Sequence, residues 1–437
     1  ARFEPRSYGF RPGRGCHDAI ESIYATLKGR LSKRQWVLDA DLSAAFDRID
    51  HDRLLAHLGS FPGRAMIAGW LSAGVVEQGR FASTEEGTPQ GGVISPMLLN
   101  IALHGMEEAA GVRYARRDPQ GAQVAMGSPV LVRYADDFVV MCHTRDQAAQ
   151  VRHRLAGWLA PRGLSFNQDK THIVHVERGF DFLGFNVRRY DGKLLIKPSQ
   201  AAVRRIRERL AAEVRSLNGG NAMAVIRRLN PIIRGWAAYY RSVVSKEVFS
   251  AIDHYLWGRL YRWARRAHPN KSRHWVVDRY FGMFNPSRND RWVYGDRETG
   301  IYLRQFAWTK IVRHTMVMGT ASPDDPALDW YWAARRRKTH ALFGGRTASL
   351  LLRQRGLCPV CATFLLNTDH GPQSPQEWEQ WTRVLTMAQR KPAIVTGPAH
   401  GDDPTTHLMH AHCRHLKQRE TAVGVQQQPN RRPLGLA

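Results

Sequence analysis

Apolar β-forming residues stand on both sides of an acidic pair, Asp136 and Asp137. Residues 131–134 precede the pair and residues 138–140 follow it. Short runs of this kind, separated by polar positions, predict two strands joined by a turn. The pattern therefore places two neighbouring carboxylates at the tip of a predicted β-hairpin.

A further acidic position follows an apolar run upstream. Residues 36–40 predict a strand, and Asp41 stands at its end. If this strand pairs with the hairpin, Asp41, Asp136 and Asp137 converge, and a divalent cation relieves the repulsion between them. Three carboxylates form the oxygen-rich kind of site that Mg²⁺ prefers. The pattern thus predicts a metal site suited to two-metal phosphoryl transfer.

The remaining apolar spacing of residues 1–190 predicts a mixture of helices and strands. Helical spacing recurs at residues 17–31, 51–58, 63–76 and 146–160. Another helix is predicted to begin with Ser95 as its N-cap and Pro96 at its first position. Two further strands are predicted near residues 172–176 and 180–187. Together these elements predict a palm-like α+β unit.

Beyond Pro198 the pattern changes to basic amphipathic helices. Apolar residues recur at steps of three and four through residues 198–217, and arginines fill the other faces. Further helices are predicted at about 221–242 and 245–267, which gives a basic three-helix bundle. Residues 268–313 interleave aromatic and basic side chains, a pattern suited to single-stranded or folded RNA.

Composition favours a polyanionic partner. The 437 residues include 64 Lys and Arg against 38 Asp and Glu, a formal net charge of +26. Binding to phosphates releases counterions, so nucleic acid fits this charge. No apolar run reaches the roughly 18 residues that span a bilayer, and no secretory signal opens the chain. Five cysteines are an odd, sparse set that favours a reducing compartment. We therefore expect a cytoplasmic protein, nucleoid-associated when bound to DNA, with no membrane partner.

Five ordered sequence blocks carry a resemblance to a known family. Tyr134-Ala135-Asp136-Asp137 is similar to the signature tetrapeptide of reverse transcriptases. The other blocks are residues 7–14, 41–52, 88–96 and 180–185. In order and spacing the set resembles the block series of bacterial group II intron-encoded proteins, which are reverse transcriptases and maturases. The resemblance runs from the first residue to about residue 310.

The resemblance implies an α+β fold with a right-hand polymerase palm, partial fingers and an α-helical thumb, also called domain X. Residues 1–190 are expected to form the reverse transcriptase palm with residual fingers, and residues 191–315 the thumb/maturase domain. Residues 316–345 are expected to be a basic linker suited to DNA, residues 346–420 an HNH-like zinc module and residues 421–437 a disordered tail. Because the chain begins with Ala1 inside a family block, we expect earlier blocks of the fingers, with triphosphate-binding residues, to lie outside this sequence.

By resemblance, Asp41 and Asp136 are ligands of two Mg²⁺ ions and Asp137 is the third catalytic acid. Asp39 is a rival for the first position, and the family spacing to Phe46 selects Asp41. Phe46 is expected to select deoxynucleotides by excluding a 2′-hydroxyl. The other expected nucleotide contacts are Leu42, Pro89, Gln90, Gly91 and Lys170. Each of two residues has a competing interpretation. Phe46 is alternatively an ordinary core phenylalanine, and Lys170 is alternatively a surface lysine. The expected nucleic-acid contacts are Arg11, Arg14, Arg204, Arg207 and Arg234.

A Cys/His pattern near the end of the chain resembles the HNH endonuclease module of the same family. Cys358 and Cys361 have metal-ligand spacing, and a Cys/His cluster follows far downstream. The expected ligands of a structural Zn²⁺ are Cys358, Cys361, His410 and Cys413. The adjacent histidines of HNH enzymes are missing, since isolated His370 and His400 stand between the clusters. Whether the module cleaves DNA or only binds it therefore stays open.

The resemblance implies an RNA-directed DNA polymerase that binds its intron RNA, promotes splicing and supports intron mobility by target-primed reverse transcription. Its expected partners are intron RNA, an RNA template, target DNA and deoxynucleoside triphosphates (dNTPs). Two alternatives remain: a splicing cofactor that binds RNA without polymerising, and a stand-alone reverse transcriptase of the retron or phage-defence type. The long region 198–313 and the Cys/His module argue against the second alternative.

Overall fold

The computed structural model describes most of the chain up to residue 339 and separate parts beyond it. The described residues are 3–29, 32–77, 80–82, 84, 86–88, 92–119, 121–339, 350, 353–354, 358–361, 372–387, 394–398, 406–410 and 413. The chain divides into two compact units. One comprises Ala1–Val225 and Tyr240–Asp325, and the other comprises Ile226–Tyr239 and Pro326–Ala437.

Helices and strands are numbered along the described chain. The α-helices are α1 (Cys16–Leu27), α2 (His51–Leu58), α3 (Arg64–Ser72), α4 (Ser95–Ala102), α5 (Met106–Ala109), α6 (Arg145–Leu159), α7 (Gln200–Ser216), α8 (Ala222–Tyr240), α9 (Lys246–Ala267), α10 (Arg273–Tyr280), α11 (Asp329–Thr339) and α12 (Pro375–Met387). The β-strands are β1 (Trp36–Ala40), β2 (Val75–Glu77), β3 (Arg80–Ala82), β4 (Tyr114–Arg117), β5 (Ala122–Val124), β6 (Val130–Tyr134), β7 (Asp137–Cys142), β8 (His172–His175), β9 (Phe180–Phe182), β10 (Phe185–Tyr190), β11 (Lys193–Pro198), β12 (Phe281–Gly282), β13 (Val293–Tyr294), β14 (Ile394–Pro398) and β15 (Thr406–His410).

A four-stranded antiparallel sheet, in the order β6-β7-β1-β8, forms the centre of the first unit. β6 and β7 form the predicted hairpin, with Tyr134 opposite Asp137 across the turn. β1 lies beside β7 with Ala40 opposite Phe138, and its other edge pairs with β8. The hairpin and its pairing with the upstream strand are therefore confirmed.

One face of this sheet carries the apolar core of the palm. Leu38, Phe138 and Val140 are fully buried there, in a core that they share with side chains of α2, α3, α4 and α6. Each such side chain stabilises the fold by about 1.5–3 kcal/mol through burial. Successive strand residues point to opposite faces. Residues 39, 41 and 137 therefore point away from this core, onto the other face of the sheet.

The first residues of the chain add a parallel partner to the outer edge of β6. Ser7 forms a parallel bridge with Arg133. The backbone N–H of Tyr8 donates to the carbonyl of Arg133 at 2.9 Å, and the N–H of Arg133 donates to the carbonyl of Arg6 at 3.0 Å. The first sequence block thus lies directly against the strand that leads into the acidic turn.

The strand predicted over residues 180–187 is in fact two strands. Leu183 and Gly184 have φ values of 50° and 80°, and the chain reverses there. β9 and β10 join β11 in a separate three-stranded sheet, in the order β11-β10-β9, instead of extending the palm sheet. The domain boundary predicted after residue 190 falls in the turn between β10 and β11.

Three helix ends also differ from the prediction. The helix predicted over residues 63–76 ends at Ser72, and β2 begins at Val75. The helix predicted over residues 17–31 ends at Leu27. The helix predicted to be capped by Ser95 has Ile94 at its N-cap, so Ser95 lies inside α4. A hydroxyl side chain near a helix start indicates the region of the cap, but the backbone conformation of the preceding residue decides which residue occupies it.

The basic helices follow the predicted boundaries closely. α7 begins after Ser199, whose hydroxyl accepts a hydrogen bond from the N–H of Ala202. α7 buries Ile206, Leu210 and Val214 and packs against α9 within the first unit. In the described part of the chain, none of the helices has both the length and the apolar character needed to cross a membrane.

The second unit contains a close contact between two helices. A Cβ atom at Gly235 of α8 would lie 2.6 Å from the nitrogen of Glu379 and 2.7 Å from the carbonyl oxygen of Pro375, both in α12. Only glycine fits at such a distance. In the same unit, β14 and β15 form a two-stranded antiparallel sheet. The side chain of Gln354 exchanges two hydrogen bonds of 2.7 Å with the backbone of Leu408.

A close backbone contact at Gly163 fixes the segment that follows the first acidic strand. Gly163 has a φ of 74°, and a Cβ atom there would overlap the carbonyl oxygen of Arg48. The N–H of Asp50 donates to the carbonyl of Arg162 at 3.0 Å. The end of α6 therefore holds residues 48–50 in place beside the palm core.

We expect Gly163→Ala to lower the free energy of unfolding by about 2–4 kcal/mol, because the added Cβ clashes with backbone and left-handed φ disfavours alanine. Gly157→Ala is the matched control, since Gly157 is an exposed residue of α6 with no such neighbour within 4 Å. Alanine at such a helical position stabilises by about 0.5–1 kcal/mol. Urea unfolding measures both variants, and equal stabilities would contradict the packing described.

Candidate active site

The three predicted catalytic acids lie at one end of the palm sheet. Asp41 directly follows β1, Asp136 lies in the turn between β6 and β7, and Asp137 begins β7. Since Ala40 faces Phe138 in the antiparallel register, Asp41 and Asp137 form the next pair. Strand alternation places both on the face opposite the apolar core. The structure thus brings the three acids together.

Lys170 adds a cation to these acids. Its Nζ lies 2.9 Å from Oδ2 of Asp41. The loop that carries Lys170 is tied to the same strand end, because the N–H of Asn167 donates to the carbonyl of Asp41 at 2.8 Å and Phe166 bridges Leu42. The hydrogen bond with Asp41 raises the pKa of Lys170. Lys170 is therefore a charged, exposed side chain beside the acids.

Burial and mutual repulsion both oppose the charged state of the carboxyl groups. Burial, reinforced by neighbouring carboxylates, raises the pKa of Asp137 to about 8. Burial also raises the pKa of Asp136, and Asp41 adds to that shift. Lys170 and Arg133 act in the opposite direction on Asp136. A site of this kind gains stability from added positive charge, whether protons or a cation.

Asp39 is a fourth carboxyl group on the same face, two residues before Asp41. Burial, with repulsion from Asp181 and Asp41, raises the pKa of Asp39 to about 7. In the part of the chain that is described, the group of three ligand atoms within 4.8 Å of one another belongs to cysteines and not to these acids. Carboxylate oxygens remain a donor set that fits Mg²⁺.

Phe46 lies beside the segment that precedes the predicted nucleotide-contact loop. It is half-buried and packs against the palm core. Its carbonyl accepts a hydrogen bond of 2.5 Å from the N–H of Thr88, and the N–H of Gly87 donates to Ile49 at 2.8 Å. The predicted nucleotide contacts that lie outside the described residues are Pro89, Gln90 and Gly91. Their roles stay predictions.

Two of the predicted nucleic-acid contacts, Arg11 and Arg14, are buried. Nη1 of Arg11 donates to the carbonyl oxygens of Glu4 and Ser7 at 2.6 and 2.7 Å. Arg14 donates to three carbonyl oxygens, including that of Gly319 at 2.8 Å. A guanidinium group has only donors, and backbone carbonyls accept hydrogen bonds from Nη1 of each arginine here. These contacts fasten segments of the protein together, and contacts of Arg11 and Arg14 with nucleic acid stay predictions.

The other predicted nucleic-acid contacts are exposed. Arg204 and Arg207 lie on the outer face of α7. The guanidinium carbon of Arg207 lies 4.3 Å from the ring centroid of Tyr255, a cation–π geometry that holds the side chain at the surface. Arg234 is exposed on α8 in the second unit. Contacts of these three arginines with nucleic acid stay predictions.

Sequence analysis missed a buried polar group behind the acidic turn. Nη1 of Arg133 donates to Oδ1 of Asn100 at 2.9 Å and to the carbonyl of Ala135 at 3.1 Å. Nδ2 of Asn100 in turn donates to the carbonyl of Gly9 at 2.9 Å. The signal was an arginine inside an otherwise apolar strand, which requires buried partners.

Three cysteines of the second unit form a candidate metal centre. The Sγ atoms of Cys358, Cys361 and Cys413 all lie within 4.8 Å of one another. Cys358 and Cys413 are buried, whereas Cys361 is exposed. Sulfur ligands favour soft metal ions. The side chain of His410, the predicted fourth ligand, and residues 370 and 400 lie outside the described part of the chain.

Comparison with known proteins places two segments of the chain in families. Residues 1–187 match the family described as reverse transcriptase (RNA-dependent DNA polymerase). Residues 203–281 match the family described as group II intron, maturase-specific domain. The two matches follow each other in the order that the sequence blocks predict.

Individual relatives match the chain over part of their length. Protein YkfC of Escherichia coli is 36% identical over 213 residues, which cover 43% of this chain and 56% of that protein. An uncharacterized 91 kDa protein in the cob intron of Schizosaccharomyces pombe is 41% identical over 110 residues, covering 24% and 13%. Group II intron-encoded protein LtrA of Lactococcus lactis is 26% identical over 241 residues, covering 43% and 40%. The chain thus spans less than two thirds of each of these relatives.

The matched families agree with the geometry of the palm. Reverse transcriptase domains depend on divalent metal ions, and carboxyl groups of the kind that bind such ions lie at the end of the palm sheet. The helical region that follows corresponds to the maturase-specific match. The chain therefore contains a reverse transcriptase domain followed by a group II intron maturase-specific domain, a combination that fits a group II intron-encoded reverse transcriptase/maturase.

Proposed function

We propose that the protein is an RNA-directed DNA polymerase of a group II intron. It copies RNA into DNA by adding dNTPs to the 3′-hydroxyl of a primer. The observation that carries this proposal is the β1–β7 register, which sets Asp41 beside Asp137 with Asp136 in the adjoining turn. Lys170 forms an ion pair with Asp41 and supplies positive charge for an incoming triphosphate.

The acidic residues have distinct tasks in this proposal. Asp41 and Asp136 hold two Mg²⁺ ions, with Asp137 as the third acid and the carbonyl of Leu42 as a further ligand. When bound, the two ions lower the pKa of the attacking hydroxyl and stabilise the charge on the leaving pyrophosphate. Asp136 stays ionised in that state, because a cation offsets the burial and repulsion that raise its pKa.

The neighbouring side chains bind and select the nucleotide. Lys170 exchanges its contact with Asp41 for the triphosphate and donates a proton to the leaving pyrophosphate. Phe46 packs under the sugar and excludes a 2′-hydroxyl by its bulk. Gln90, with Pro89 and Gly91, contacts the nucleotide from the loop that follows Gly87 and Thr88.

The basic helical region binds nucleic acid. A net charge of +26, with exposed Arg204 and Arg207 on α7, suits the phosphates of folded RNA. We propose that this region binds intron RNA and promotes splicing, and that the protein also uses an RNA template and a DNA target for intron mobility. The proposed location of the protein is the cytoplasm, and the nucleoid when the protein is bound to DNA.

The second candidate function is a splicing cofactor that binds RNA without polymerising. The maturase-specific match over residues 203–281 favours RNA binding in either case. It also argues against a stand-alone reverse transcriptase of the retron or phage-defence type. Loss of polymerisation without loss of splicing in an acid variant separates the two activities.

The three-cysteine centre suits one structural Zn²⁺, with His410 as the fourth ligand. Zinc sites with three cysteines and one histidine are tetrahedral and closed. A closed site stabilises the small module around it and leaves no position for catalysis. The module then serves in DNA binding, whether or not its HNH-like sequence cleaves DNA.

Asp136→Asn should abolish Mg²⁺-dependent incorporation of dNTPs on an RNA template with a DNA primer. We expect a loss of at least about a hundredfold, because a charged metal ligand becomes neutral. Intron RNA binding should persist. Asp146→Asn, an exposed acid on α6, is the matched control and should retain wild-type activity. Undiminished incorporation by Asp136→Asn would refute the assignment of the catalytic acids.

Phe46→Val should admit ribonucleotides. The discrimination between dNTPs and the corresponding ribonucleotides should fall roughly 10- to 100-fold, because the pocket no longer excludes a hydroxyl. Single-nucleotide incorporation kinetics with each nucleotide give the ratio of kcat/KM values. Phe61→Val, at an exposed position before α3, should leave that ratio unchanged. An unchanged ratio in Phe46→Val would assign Phe46 to the core alone.

Cys361→Ser should remove zinc from the purified protein. We expect about one zinc ion per wild-type chain and little in the variant, since loss of one thiolate weakens a four-ligand site strongly. Elemental analysis by mass spectrometry measures the content. Cys142→Ala, in the palm and outside the cluster, is the control. Zinc retained in full by Cys361→Ser would exclude this centre.

A further inference from the structure

Arg133 is a fully buried arginine in a strand whose other inward side chains are apolar. An arginine in such a place lowers the stability of the fold unless its donors find partners. Its carboxylate partner is distant, since Nη2 lies 4.0 Å from Oε2 of Glu4. Its two hydrogen bonds from Nη1 instead go to Asn100 and to the carbonyl of Ala135. The arrangement therefore directs this cation toward the acidic turn.

The carbonyl that Arg133 binds belongs to the peptide immediately before Asp136. Ala135 has a φ of 57°, a left-handed conformation that an alanine adopts only at a cost in energy. The hydrogen bond of 3.1 Å from Arg133 fixes the plane of the Ala135–Asp136 peptide. Because the side chain of Asp136 leaves from the next Cα atom, this plane sets the direction of its carboxylate.

A second contact restrains the preceding peptide, Tyr134–Ala135. A Cβ atom at Gly9 would collide with the backbone nitrogen of Ala135 and lie 3.0 Å from the carbonyl carbon of Tyr134. Gly9 is itself held by Asn100, whose Nδ2 donates to the Gly9 carbonyl at 2.9 Å. Asn100 is fully buried in α4 and bonds both Gly9 and Arg133. Hydrogen bonds through Asn100 thus link Gly9 and Arg133, the two residues that contact the backbone of the turn.

We propose that Arg133, Asn100 and Gly9 are positioning residues that fix the two peptides on either side of Ala135, and so aim the Asp136 carboxylate at a divalent cation. The inference rests on the proposed polymerase function for its kinetic readout, but not for its metal-binding readout. Some residues do not bind the metal themselves but orient a side chain that does. Substitution of such a residue typically lowers metal affinity or activity by about 10- to 100-fold. The positive charge of Arg133 also offsets repulsion among the acids from behind the turn.

The chain offers a control for simple destabilisation. Arg189 is also a buried arginine whose Nη2 donates to a backbone carbonyl, that of Leu27 at 2.8 Å. It lies on β10, in the three-stranded sheet outside the palm. Arg189→Lys therefore removes the same kind of buried guanidinium contact without touching the acidic turn.

The test compares Arg133→Lys and Gly9→Ala with Arg189→Lys and Gly157→Ala. Thermal unfolding first defines a temperature at which every variant is folded. At that temperature, electron paramagnetic resonance measures Mn²⁺ binding to the protein alone, and primer extension gives kcat and the nucleotide KM. Because Gly9→Ala alters no charge, it separates the effect of the direction of the Asp136 carboxylate from the effect of the positive charge of Arg133.

We expect Arg133→Lys and Gly9→Ala to bind Mn²⁺ more weakly and to lose about 10- to 100-fold in kcat, with the nucleotide KM within about twofold of wild type. The two control variants should match the wild type in Mn²⁺ binding and kcat. Wild-type Mn²⁺ binding by both Arg133→Lys and Gly9→Ala would overturn the proposal. Equal losses in Arg189→Lys would overturn it as well, because the effect would then be structural. A wild-type protein that binds Mn²⁺ but never extends a primer would instead count against the polymerase function.

Discussion

The antiparallel pairing of β1 with β7 is the interaction on which the palm depends. Its register places Leu38 opposite Val140 in the core and leaves Asp41 beside Asp137 on the other face. A slip of one residue would turn every side chain of the strand to the wrong face. The burial of apolar side chains on one face of the sheet therefore specifies the position of the acids on the other face. The geometry of the site depends on the packing of the core.

This arrangement concentrates negative charge, and the structure compensates from two directions. Lys170 meets Asp41 from the solvent side at 2.9 Å, through an exposed side chain that can exchange partners. Arg133 acts from inside, through a buried group whose hydrogen bonds fix its position. The exposed Lys170 suits contact with a substrate that binds and is then released. The fixed cation suits a permanent constraint on the turn.

The sequence predicted elements whose signals are local. The hairpin, β1 and the helices α6 and α7 follow from apolar spacing. The convergence of the acids followed because carboxylates ended strands that were expected to pair. The division of residues 180–187 did not follow, since it depends on positive φ at Leu183, which side-chain pattern alone does not reveal. Pro89, Gln90 and Gly91 remain predictions from resemblance.

The buried arginines show why charge is a poor guide to individual contacts. Arg14 is held by the carbonyls of Gly319 and Ala321, about 300 residues away along the chain, which no local pattern can foresee. Arg11 and Arg133 likewise bind carbonyl oxygens within the fold. Because a buried arginine fastens segments through several donors, a basic protein uses part of its arginine for architecture. Nucleic-acid binding is therefore to be sought among exposed arginines such as those of α7, where the guanidinium groups face solvent.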